Sequence, residues 1–136
     1  MSTGLMHLHH YLPYLFFIVL IISIVRAALN KIPNVKKDIF LILTLIFAHI
    51  QLLIGLVLLI PMATAVDWSG VMGNAASRFL LVEHPLTMLI AVVLITLGKV
   101  KAKKIEDNAK ANKAVFGYFM VALILIALRT PWDKLF

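Results

Sequence analysis

The stretch Arg78-Phe-Leu-Leu-Val-Glu-His-Pro-Leu-Thr-Met-Leu-Ile-Ala-Val-Val-Leu-Ile-Thr-Leu-Gly98 decides the fold. At ~1.5 Å of rise per residue, it is long enough to cross a hydrocarbon core of ~30 Å as a helix. Yet Glu83 and His84 lie inside the half of that span that begins at Arg78. An ionisable group in hydrocarbon is costly, and its retention there points to a site. The rest of the chain reads as three more membrane helices that give His84 a partner.

Composition supports this. The 136 residues are 62% hydrophobic, with a mean hydropathy of +1.02. Runs of this kind belong to membrane proteins, and the length allows four spans with short connections in one domain. With no cysteine, disulfides, iron–sulfur clusters and thiolate zinc sites are excluded. The net charge of +7 is concentrated in two connections, as the positive-inside rule expects. Because these charges flank apolar spans, they do not make a nucleic-acid surface. The first apolar run lacks a basic segment before it, which predicts an uncleaved first helix.

Working outward, four spans are expected at about 5–29, 38–62, 77–100 and 114–129. Pro13 falls in the first turns of helix 1, where a missing donor is tolerable. Asp38 is a plausible N-cap for helix 2, and Pro61 is expected to end it. The connection from Ala63 to Ser77 predicts a short interfacial segment with Trp68 at headgroup level. Pro85 leaves the Leu81 carbonyl without its usual donor, which predicts a kink. Lys31, Lys36 and Lys37 mark one turn; Lys99, Lys101, Lys103, Lys104, Lys110 and Lys113 mark the other. Both belong on the cytoplasmic side, so both termini are expected outside. The result is an all-α, up-down-up-down bundle.

The polar groups share a level. Measured from the nearest basic boundary at ~1.5 Å per residue, His10 stands ~24 Å up, His84 ~22 Å, Gln51 ~21 Å and Arg129 ~24 Å, with His49 lower at ~18 Å. His9 is one residue above His10, and His7 lies beyond it. All four helices thus contribute to one outer-leaflet layer. Two neutral imidazoles on facing helices suit the axial positions of a bundle haem. Arg78 and Arg129 lie where propionates need cations, and Glu83 would orient an imidazole or neutralise an arginine. Copper on His7, His9 and His10 is an alternative that imidazole chemistry allows. Gln51 and Gly55 share a helix face as a polar and small pair. No nucleophile triad, phosphate loop or dinucleotide fingerprint is present, which argues against hydrolase and kinase chemistry.

The runs Gly4-Leu-Met-His-Leu-His9, Ala48-His-Ile-Gln-Leu-Leu-Ile-Gly55 and Arg78-Phe-Leu-Leu-Val-Glu-His84 resemble a family of small four-helix membrane proteins of Bacteroidetes labelled cytochrome b-like. Over a greater distance the chain is similar to one four-helix half of haem A synthase. His9 (or His7 or His10), Gln51 with Gly55, and His84 follow the order of that half. The enzyme's glutamate–histidine–arginine motif is absent, so the resemblance implies a haem site and not haem A synthesis. It implies haem b with His9 and His84 as iron ligands in a bacterial inner membrane, and electron transfer near the outer face. A quinone, a respiratory complex and a further copy of the chain are the partners to consider besides lipid. The alternative is a cofactor-free accessory or assembly subunit of a respiratory or haem-handling complex. A transporter is disfavoured by the absence of an internal repeat.

Overall fold

In the computed structural model, residues 3–132 are described. Four rods carry the fold: α1 (Thr3–Ala28), α2 (Ile39–Ala65), α3 (Ala75–Ala102) and α4 (Asn108–Arg129). Each is long and apolar enough to cross a membrane, so the chain is a multi-pass membrane protein. Among the described residues there is no strand. Their outer faces present large apolar residues such as Leu53, Ile60, Leu86 and Leu128, which lipid tails cover without penalty.

Local chemistry sets the ends. Asn30, at φ 56°, closes α1 in the left-handed conformation that asparagine tolerates. The Lys31 N–H then reaches back to the Arg26 carbonyl at 2.7 Å, and the Asn30 N–H to Ala27 at 3.0 Å. Asp38 caps α2 by accepting from the Leu41 N–H at 3.1 Å. The same carboxylate takes both arms of Arg26, at 2.8 and 2.6 Å, so one residue caps a helix and ties it to its neighbour. Asn74 caps α3 through the Ser77 N–H at 3.1 Å, and Asp107 caps α4 through the Ala109 N–H at 3.0 Å.

These caps explain the departures from the expected spans. Helix 4 starts at Asn108, ahead of the expected Ala114, because Asp107 supplies the cap and its first turns tolerate solvation. Helix 3 likewise begins earlier, at Ala75. Helix 2 passes through Pro61 to Ala65, a correction to the expected end. A proline ring removes one donor and frees only the Val57 carbonyl, and its fixed φ is already helical. At Pro85 the expected kink takes the form of a π turn over Phe79–Glu83, where the His84 N–H reaches Phe79 O. The extra residue in that turn absorbs the clash between the proline ring and the preceding carbonyls. The 63–77 connection contains a single 3-10 turn, Trp68–Gly70, with the Trp68 Nε1–H donating to Ala63 O at 2.9 Å.

The helices form a ring in which α1 packs on α2 and α4, and α3 packs on α4 and α2. Therefore α1 and α3 lie on a diagonal. The α3–α4 seam is tight at Gly98, where a Cβ would lie 2.7 Å from Tyr118 Cβ. The core is dense from the middle of the bundle to the lysine-rich end: Leu20, Leu41, Ile95, Val115 and Phe119 are fully buried. Ser23 and Thr44 share a hydrogen bond at 3.3 Å inside it. Asn112 clamps the α1–α2 turn, accepting from the Ile32 N–H and donating to the Ile32 carbonyl, both at 3.0 Å. Toward the other end the packing opens, and the buried apolar contact of α1 with α2 is a small cluster of Leu12, Ile54 and Leu58. Between the diagonal helices a cavity remains there.

Candidate functional site

The cavity measures about 420 Å³ and is walled mainly by apolar side chains, a size within the usual small-molecule range of about 300–1,000 Å³. Helix α1 contributes Met6, His9, His10 and Pro13; α2 contributes Gln51, Gly55 and Met62; α3 contributes Leu80, His84, Pro85 and Met88; the end of α4 adds Ile126 and Thr130. Three imidazoles, two from α1 and one from the diagonal α3, therefore line one apolar space.

His9 is held at three points. Pro13 stands four residues on and has no N–H, so the His9 carbonyl lacks its intrahelical donor. Gln51 supplies one: its Nε2 donates to His9 O at 2.9 Å. The same amide nitrogen lies 3.0 Å from His9 Nδ1. An atom hydrogen-bonded to a carbonyl oxygen is a donor, so the amide orientation is set and Nδ1 accepts. The proton of the neutral ring then sits on Nε2. Gly55 provides the floor: a Cβ added there would lie 3.1 Å from His9 Cε1. Gln51 Oε1 is buried without a partner.

His84 is held in the opposite sense. Its Nδ1 lies 2.6 Å from the Arg129 carbonyl, one of the four that end α4 without intrahelical donors. A carbonyl only accepts, so Nδ1 carries a proton, and in the neutral ring Nε2 keeps a free lone pair. The Phe79 ring stacks beside the imidazole, with centroids 5.9 Å apart and planes at 29°.

Glu83 lies between two cations. Arg78 Nε donates to it at 2.8 Å, and Arg129 Nε lies 3.8 Å away. Of the two roles expected for Glu83, the structure assigns it to the arginines, while the Arg129 backbone takes the imidazole. Arg78 also donates to Met72 O at 2.7 Å. His10 lines the cavity and packs edge-on to Tyr11. Five expected site residues do not line the cavity: Arg78, Glu83 and Arg129 are gathered in the ion cluster just described, and His7 and His49 join neither group. His7 is exposed and stacks on Tyr11. His49 is exposed between α2 and α3, bound to Leu45 O at 2.7 Å and near Thr96 Oγ1 at 3.5 Å.

Sequence reasoning missed the Arg129 carbonyl, since backbone acceptors leave no signal in side-chain patterns. It also missed the pairing of Gln51 with the His9 carbonyl. The spacing of His9 and Pro13 did carry a signal, because any proline frees the carbonyl four residues before it.

Of the groups a haem would need, the cavity offers imidazoles on opposed helices and apolar walls, and the neutral His84 ring with Nδ1 donating would leave Nε2 for iron. His9 needs its proton on Nδ1 to do the same, and the unpartnered Gln51 Oε1 is an acceptor suited to that N–H. Among the described residues no three His, Cys, Asp or Glu side chains converge as a metal-ion ligand set; the histidine run on α1 does not form one, and an axial pair on a porphyrin needs only two. The chain matches no family model, no curated protein and no solved structure.

Proposed function

We propose that this chain is a b-type haem protein of a bacterial inner membrane, with His84 and an α1 histidine as axial ligands and electron transfer near the outer face as its role. The observation that carries the reading is the bond from His84 Nδ1 to the Arg129 carbonyl. It orients the ring, fixes its tautomer and raises the basicity of the nitrogen left for the metal. His9 is the α1 ligand we favour, because Gly55 leaves room for its ring and Gln51 steadies it. His10 is the neighbour able to replace it. Bound haem supplies one-electron oxidation and reduction. The chain's own contribution is to present imidazoles from diagonal helices to one apolar space and to set Arg78 and Arg129 against Glu83, next to His84 in sequence, where two cations face one carboxylate.

The electron partner we propose is a quinol of the bilayer or a subunit of a respiratory complex, and the apolar outer faces of the four helices are compatible with either. With the lysine-rich turns on the cytoplasmic side, the haem level falls in the outer leaflet. A haem titration of purified haem-free protein, followed by absorption, tests the assignment. Saturation at one haem per chain with a low-spin spectrum is expected. Absence of saturable binding contradicts it. One observation favours the alternative of a cofactor-free accessory subunit: Gln51 holds His9 with its proton on the nitrogen that iron would need.

A further inference from the structure

That same observation carries a more specific assignment. We propose that Gln51 is the positioning residue that decides whether His9 is able to ligate, by choosing which ring nitrogen carries the proton. The assignment of a tautomer stands on the geometry alone; its consequence for iron rests on the haem reading above.

In this structure the Gln51 amide nitrogen serves two acceptors at once, His9 O at 2.9 Å and His9 Nδ1 at 3.0 Å. The first exists because Pro13 leaves that carbonyl without a helical donor. The carbonyl therefore dictates that nitrogen, not oxygen, of the amide points at His9. The imidazole answers by accepting at Nδ1 and keeping its proton on Nε2. In this state His9 offers the cavity a donor, while His84 offers an acceptor. A half-turn of the amide about its last torsion would bring Oε1, now buried without a partner, to the ring. Nδ1 then takes the proton, Nε2 gives it up, and the ring stays neutral with one proton throughout. That form is able to ligate. Its cost is the donor to the Pro13-freed carbonyl, so the haem-free chain rests in the non-ligating form.

The proposal is tested with Gln51→Glu and Pro13→Ala in the full chain, reconstituted in detergent with ¹⁵N-labelled histidine. A glutamic acid accepts from His9 Nδ1–H in either protonation state, and when protonated its hydroxyl still serves the His9 carbonyl. Pro13→Ala returns an N–H to that carbonyl and frees the amide to turn. In the haem-free parent, His9 should be protonated on Nε2 and His84 on Nδ1. Gln51→Glu should move the His9 proton to Nδ1, and Pro13→Ala should shift the population the same way. On haem addition, Gln51→Glu should bind at least about ten-fold more tightly than the parent, with a lower reduction midpoint, because a carboxyl accepting from Nδ1–H makes the ligand more basic. A residue with only a packing role would leave the nitrogen shifts of His9 unmoved. A haem-free parent with His9 protonated on Nδ1, or variants that leave the tautomer where it was, would overturn the proposal. Should Gln51→Glu fail to fold, Pro13→Ala alone carries the same two outcomes. If the tautomer moves as described and no variant takes up haem, the ligand reading fails while the control of His9 by Gln51 holds.

Discussion

Replacing Gly55 by alanine places a methyl group 3.1 Å from His9 Cε1. Ordinary carbon–carbon contacts lie at about 3.5–4.0 Å, so the ring must retreat by roughly half an ångström. It has little freedom to do so, since Gln51 holds both its Nδ1 and its backbone carbonyl. Overpacking of this kind costs about 1–3 kcal/mol. The substitution also removes a glycine from the interior of a helix, which returns about 1 kcal/mol. The two offset only in part, so Gly55→Ala in detergent should lose up to about 2 kcal/mol and unfold at or a few degrees below the parent midpoint. The displaced imidazole should nevertheless weaken haem uptake. Gly55→Leu has no such balance: its branch occupies the space of the ring, and both stability and haem uptake should fall. The decisive assay pairs thermal unfolding with a haem titration on all three proteins. Gly55→Leu with parental stability and a parental spectrum would refute the placement of His9 against α2.

Other substitutions probe separate parts of the account. His84→Ala should abolish a low-spin spectrum, because α3 has no second imidazole, whereas His49→Ala should retain it, since His49 stands outside the cavity; absorption spectra of both variants decide. His9→Ala alone is expected to shift the spectrum and His9→Ala with His10→Ala to lose it, as His10 lines the same space. Asp38→Ala removes a helix cap and strands Arg26, whose carboxylate partner is nearly buried; a loss of about 3 kcal/mol is expected in chemical unfolding, and a change below about 1 kcal/mol would mean the pair contributes little. Cysteines at Asn34 and Ala109 should be shielded from an impermeant thiol reagent in intact cells while one at Ser69 reacts, and the reverse pattern would invert the topology.

The four spans were legible because a bilayer demands long apolar helices, and no other arrangement of this composition satisfies its backbone. The depth argument was legible for a related reason: a constant rise per residue converts sequence intervals into levels. It brought His9, His10, Gln51, His84 and Arg129 to one layer; the first four line the cavity, and Arg129 does not. Azimuth was harder. His49 sits near the same depth but points away, because a helix turns ~100° per residue and a few residues of phase separate the cavity from the lipid. His7 was likewise near in sequence and far in direction. The end of α2 was misread at Pro61, where the rule that proline stops helices yields to a chain with its other donors intact. The start of α4 was misplaced because hydropathy marks the apolar part of a helix and ignores its solvated first turns. The Arg129 contact was beyond reach, since it depends on a backbone carbonyl that the pattern of side chains does not display, whereas the His9–Pro13 spacing signalled the freed carbonyl that Gln51 serves.

The central claim is that His84 and an α1 histidine hold one haem between diagonal helices. The most direct measurement is the visible spectrum of the protein purified from haem-replete cells, with haem counted by the pyridine haemochrome. The account predicts a coloured protein with one haem per chain and the sharp bands of low-spin iron on reduction. A colourless protein from the same cells, folded and monodisperse, would contradict it.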